Sequence, residues 1–126
     1  MSEVKILQQF KNNIITFLDE LINQFPEEGD LVIIRIFLKD RYPIVNLMNM
    51  FVFKVLPYKQ MFIDRNEDFL LNNPDLVSDF RDKNKINHFK KLWRSESLDK
   101  EDKLIIWKWF DSFITLAERY QECKLN

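Results

Sequence analysis

A chain of 126 residues with a single glycine, Gly29, has given up a large set of backbone conformations. Phosphate-cradling loops, turns with positive φ and close approaches of backbone to ligand all draw on glycine, because a residue without Cβ enters them freely. A Gly-rich nucleotide loop is therefore excluded. Cysteine and histidine are as scarce, with Cys123 and His88 the sole examples. One cysteine excludes an internal disulfide framework and suits a reducing compartment. One Cys and one His cannot supply the usual four-ligand sets of zinc. A Ser-His-Asp or Cys-His arrangement would have to use His88, and no nucleophile signature surrounds Cys123. His88 reads as a surface residue among lysines, and Cys123 as a small half-buried apolar one.

Long apolar runs are missing too. No stretch reaches the roughly 18 apolar residues of a membrane span, and the opening MSEVKILQQFKNN has polar residues too often for a signal segment. Charge of one sign is not in excess: 19 basic residues face 20 acidic ones, which leaves no long-range pull toward nucleic acid or membrane. Even alanine is nearly absent, with Ala117 alone, against 13 Ile, 13 Lys, 12 Phe and 11 Asn. That bias matches A/T-rich codons.

What remains is ample core material, 46% apolar and 14% aromatic. The length fits one domain, residues 1–126, which buries roughly two-thirds of its unfolded surface without a disulfide or metal.

Helical spacing organises that material. Leu7, Phe10, Ile14, Phe17, Leu18, Leu21 and Phe25 recur at threes and fours, with Ile6, Ile15 and Ile22 widening the stripe. The pattern predicts a helix over 3–25, capped by Ser2 and stopped by Pro26. DLVIIRIFLKDR carries a β-branched run that suits a buried strand as well as a helix. A lone strand would have nothing to pair with and Asp30 suits an N-cap, so 31–38 is read as helix. Pro43 opens PIVNLMNMFVFKVL, apolar nearly all round and hence expected at the centre, and Pro57 ends or kinks it. Short helices and turns follow over 58–82, then a helix from about Ile86 to Arg94. The last helix begins at Asp99, with Asp102 three residues on as a shortened capping box. It turns Ile106, Trp109, Phe110, Phe113, Leu116, Ala117 and Tyr120 inward and runs to about Cys123. The fold class is all-α: a compact bundle of five to seven helices with long first and last members.

Two local features bear on chemistry. DRNEDFLLNNPD places Asp64, Asn66, Asp68 and Asp75 at four ligand positions of a calcium loop. Phe69, however, stands where such a loop requires glycine, and Asp75 is shorter than the usual bidentate glutamate. A helix entry capped by Asp64 or Asn66 is the better reading. The stretch RDKNKINHFKKLWR holds six Lys or Arg against one Asp, with Phe89 and Trp93 interspersed. Cations for phosphate with aromatics for stacking are the mark of a nucleic-acid surface. The same spacing puts Phe89 and Trp93 on a buried stripe with Ile86 and leaves the lysines solvated. The three tryptophans fit an αα-hairpin, with Trp93 near Leu104 and Trp107.

FPEEGD, VLPYKQMFIDRNEDFLL, HFKKLW and DKEDKLIIWKWF are spread over residues 25–110. In them the sequence resembles a group of small helical proteins of large nucleocytoplasmic DNA viruses, whose function is unassigned. The resemblance implies a helical fold and no activity or site residue.

The expected function is non-enzymatic: a helical protein-interaction or structural module, as a viral accessory or virion component. It would act inside the cell, in the cytoplasm or the particle, with a protein partner, either a different chain or a second copy of itself. No catalytic residue, cofactor, metal or small-molecule substrate is assigned. The alternative is a nucleic-acid-binding accessory protein that contacts phosphate, or an acidic partner, through Lys83, Lys85, Lys90, Lys91 and Arg94.

Overall fold

The computed structural model describes residues 2–73 and 90–125. Six α-helices lie wholly within these: α1 (Glu3–Gln24), α2 (Gly29–Asp40), α3 (Ile44–Lys54), α4 (Lys59–Ile63), α5 (Glu67–Asn72) and α6 (Lys100–Leu125). Residues 90–93 are also helical, and no strand occurs among the described residues. The all-α reading holds, with the first and last helices the longest.

Helix α1 starts where Ser2 Oγ accepts from the Lys5 amide at 3.2 Å. Its buried residues, Ile6, Phe10, Ile14 and Leu18, recur every four positions, which draws one stripe inclined gently to the helix axis. Helix α6 starts on a reciprocal box. The Asp102 amide donates to Asp99 Oδ1 at 2.8 Å, and the Asp99 amide donates to Asp102 Oδ2 at 3.2 Å. Aspartate thus completes at the third position what glutamate usually does.

These two helices run antiparallel along their whole length. Glu3 pairs with Lys124 at 3.0 Å, Asn13 Nδ2 donates to Ser112 Oγ at 2.8 Å, and Trp109 Nε1 donates to Glu20 at 2.6 Å. Near the far end, the Gln24 side-chain amide donates to the Ser97 carbonyl. Between them, Phe10, Phe51 of α3 and Phe113 of α6 form a triangle of edge-on rings, 5.4 to 5.9 Å apart. Edge-to-face contacts set the positive rim of one ring against the negative face of the next.

Helix α3 buries Leu47, Met48 and Phe51 against this pair, but Phe53 is 80% exposed. The expected central position is therefore only half realised: α3 lies on the bundle with one face out. Pro57 sits in a 3-10 turn, Leu56–Tyr58, which passes the chain to α4. There Phe62 meets Phe110 and Trp107 of α6 at 5.6 and 6.3 Å. Trp107 and Ile114 are buried alongside the inward residues predicted for α6, whereas Trp109 is half-buried.

Residues 29–40 are helical, which settles the ambiguous run. Asp30 is not the cap. Glu28 precedes the helix without a side-chain capping bond, and Asp30 lies in the first turn, where its charge complements the helix dipole. Helix α2 packs chiefly on α1, with Arg35 Nε donating to Asp19 at 2.5 Å.

Candidate functional site: the outer face of helix α2

The predicted cationic stretch divides at the edge of the described residues. Lys83, Lys85, His88 and Phe89 lie outside them. Lys90 and Lys91 are in the helical residues 90–93, and Arg94 follows at the turn; Lys91 and Arg94 are exposed. The aromatic member is not available for stacking on a base. Trp93 is buried, with its ring edge-on to Trp107 at 5.8 Å and the Lys103 ammonium over it at 5.5 Å. The Trp93–Trp107 contact is the one the hairpin reading expected, while Leu104 is exposed and the helix expected from Ile86 lies mostly outside the described residues.

The calcium-like loop is used as a helix junction. Asn66 Oδ1 accepts from the Phe69 amide at 2.9 Å and so caps α5, while Asp64 accepts from Gln60 at 2.9 Å. Asp75 lies outside the described residues. Among the described residues no cluster of three or more His, Cys, Asp or Glu is placed to hold a metal ion.

Carboxylates do share one hollow, of about 200 Å³ between α1 and α6, where Glu20 and Asp102 both line the wall. Each is already committed, Glu20 to the indole of Trp109 and Asp102 to the helix cap. No polar or charged residue is buried among the described ones. The groups with clearly displaced pKa values are cations at the surface. A hydrogen bond to Asp111 raises Arg65 above its ordinary value, and one to Glu3, followed by one to Tyr120, does the same for Lys124. General acid–base chemistry needs buried or convergent groups tuned toward neutrality. These are not such groups.

The distinctive surface is elsewhere, on α2, a helix with no buried residue. Its inner side, Leu31, Ile34 and Leu38, faces the bundle across an apolar cavity. Its outer side carries Val32, Ile33, Ile36 and Phe37, exposed at 41, 64, 50 and 46%. Positions i, i+1, i+4 and i+5 lie on one side of a helix, so these four make a continuous strip. Helix α1 shows what an ordinary solvent face looks like here: Gln8, Gln9, Asn12, Thr16 and Asp19 are among its exposed residues, and Val4 in the first turn is its one exposed large apolar residue. A helix apolar on both sides belongs in an interior, yet α2 is covered on one side.

Charge is unevenly distributed along the same helix. Glu27, Glu28 and Asp30 stand at its start, while Lys39 and Arg41 flank an exposed Asp40 at its end. Glu27, Asp30, Lys39 and Arg41 form no ion pair among the described residues. Periodicity found the helix, but its β-branched run hid which side would stay uncovered.

No family model matches the chain, and no curated protein or solved structure matches it. No helix among the described residues is long and apolar enough to cross a membrane.

Proposed function

We propose that the chain is a non-enzymatic protein-interaction module whose docking surface is the outer face of α2, and that the partner seated there is a second copy of the same chain. The observation that carries this is the exposed strip Val32, Ile33, Ile36 and Phe37 on a helix with no buried residue. Water contact with so continuous a strip is unfavourable by about 25 cal/mol per Å² of apolar area, and a partner removes that contact.

The charges favour a copy. In a two-fold pairing of α2 with its twin, the same patch meets itself with the two helices antiparallel. The acidic start of each α2, with Glu27 and Asp30, then lies beside the end of the other, where Lys39 and Arg41 outnumber Asp40. A parallel arrangement would set like charges together. The whole molecule carries a net charge of −1, so two copies approach without strong repulsion. One helix pair buries less than the roughly 800 Å² per partner of a standard interface, so association in the micromolar range is expected.

The resemblance in sequence extends the proposal to a viral accessory or virion component working in the host cytoplasm or the particle, where a self-pairing helical unit serves assembly.

Sedimentation velocity across a concentration series tests the reading. The expected result is a monomer–dimer equilibrium that Ile33→Glu shifts to monomer while the helical circular dichroism stays intact. A wild-type chain that remains monomeric at several hundred micromolar would sink it.

A further inference from the structure

Behind α2, on the side away from the proposed interface, α1, α2, α3 and α6 surround an apolar cavity of about 220 Å³. Leu18 of α1, Ile34 and Leu38 of α2, Leu47 of α3, Phe110 of α6 and the Trp93 ring are among its walls. We infer that this cavity is a binding site for one small neutral apolar molecule, with room for a fused two-ring aromatic or a bent alkyl chain of roughly eight to ten carbons.

Size is the first argument. Protein interiors are packed to crystal-like density and leave few voids larger than a water molecule. A cavity of about 150 Å³ lined by Leu, Ile and Phe already takes up benzene, and this one is larger.

Chemistry is the second. A water molecule needs two to four polar partners to settle in a cavity, and nearly all of the wall surface here is apolar. Water is a poor occupant. No charged side chain lines the space, so a carboxylate or phosphate head has no anchor inside. The fitting ligand is therefore uncharged and recognised by shape.

The position of α2 supplies the third argument. It rests chiefly on α1, with one ion pair, Arg35 to Asp19, at 2.5 Å tying the two together. The helix that walls the cavity is thus the most lightly attached of the long ones, which gives a ligand a way in.

Naphthalene is a suitable probe for the intact chain, because its ring current shifts methyl resonances close to it. At saturation the expected results are a rise in melting temperature by calorimetry of about 3–5 °C and shifted methyl signals for Leu18, Ile34, Leu38 and Leu47. The outer methyls of Val32, Ile33 and Ile36 stay in place. The comparison of Ile34 with Ile33 and Ile36, on opposite sides of one helix, separates cavity binding from adhesion to the outer face. Ile34→Trp fills the space and is expected to weaken naphthalene binding at least tenfold, whereas Ile33→Glu leaves it unchanged. Should Ile34→Trp fail to fold, the methyl map of the wild-type chain decides alone. Absent inner-methyl shifts at the solubility limit of naphthalene, or shifts confined to the outer face, overturn the inference.

Discussion

Arg65 grips Asp111 with both guanidinium nitrogens, at 2.8 and 2.6 Å, from a left-handed backbone position with φ of 54°. The conformation is demanded by how α4 ends. The Arg65 amide donates to Phe62 O at 3.1 Å and the Asn66 amide to Met61 O at 3.0 Å. That pair of bonds is the Schellman arrangement, whose left-handed residue is usually glycine. In a chain with one glycine an arginine holds the position, and its side chain ties α4 to α6. It also donates to Phe62 O at 3.0 Å and lies over the Trp107 ring at 5.7 Å.

Two substitutions separate backbone from side chain there. Arg65→Ala keeps the left-handed cost and loses the ion pair. Arg65→Gly loses the pair but relieves the backbone, so it is expected to be about 1 kcal/mol more stable than the alanine variant. Both ion-pair partners are partly exposed, so the pair itself contributes no more than about 1 kcal/mol. Urea unfolding measures both differences. Because the Arg65 pKa is raised in the fold, the arginine's contribution is complete below its ordinary value and is lost only above it. Titration of Arg65 is therefore expected to leave stability flat between pH 6 and about pH 9.

The Asp99–Asp102 box is expected to be worth what a good cap is worth. Asp99→Ala removes the acceptor for the Asp102 amide, 2.8 Å away, and should lower stability by about 1 kcal/mol. Asp99→Asn keeps an acceptor and should cost less. The order Ala below Asn below wild type, by thermal or urea unfolding, is the outcome to look for.

How far such features could be read from residue spacing depends on whether one side of a helix is clearly wet. In α1 and α6 polar side chains mark most of the outside, so the buried Phe10, Phe110 and Phe113 follow from periodicity, and the caps Ser2 and Asp99 from the polar residues that precede each periodic stretch. Helices α2 and α3 carry apolar residues on both sides. There, Asp30 read as a cap is a first-turn residue, and α3 read as central leaves Phe53 exposed. Nothing in LVIIRIFL distinguishes the side that meets α1 from the side that meets solvent. That distinction is tertiary, and the docking face depends on it.

Phe113 is the keystone of the ring cluster. Five aromatic rings, Phe10, Phe17, Phe51, Trp109 and Phe110, lie between 5.6 and 6.5 Å from it. Phe113→Ala is expected to cost about 3–5 kcal/mol, since both transfer energy and a cavity are involved. Phe113→Leu should cost less than half as much. A domain of ordinary stability, about 5–15 kcal/mol, would then be near its limit with alanine, and guanidinium unfolding midpoints report the ranking.

The nucleic-acid reading makes a contrary forecast for Lys91 and Arg94. Exposed substitutions outside an interface shift free energies by no more than about 0.5 kcal/mol. Lys91→Glu with Arg94→Glu is therefore expected to leave self-association almost unchanged. Anisotropy of a labelled single-stranded oligonucleotide is expected to stay flat for both proteins at physiological salt. Steeply salt-dependent binding that the double reversal abolishes would instead transfer the function to the cationic stretch.

Charge reversal along α2 gives the most specific forecast for the docking face. The antiparallel pairing brings the Asp30 end of one copy beside the Lys39 end of the other, and two-fold symmetry makes the approach twice. Lys39→Glu therefore sets acid against acid at both contacts, and Asp30→Lys sets base against base. Each is expected to weaken association severalfold, for rim charges of about 0.5–1 kcal/mol apiece. Combining the two substitutions in one chain restores opposite signs across the axis and should return the dimer to near wild-type affinity. Mixing the doubly substituted chain with the wild type then tests the orientation. In an antiparallel mixed pair one contact is acid against acid and the other base against base, so the two proteins should sort into separate homodimers. A parallel pairing would set position 30 against 30 and 39 against 39. Every contact in the mixed pair would then join opposite charges, and the mixed dimer would prevail. Sedimentation of the mixture with one chain carrying a fluorophore distinguishes the outcomes, and a dominant mixed dimer would rule out the antiparallel contact.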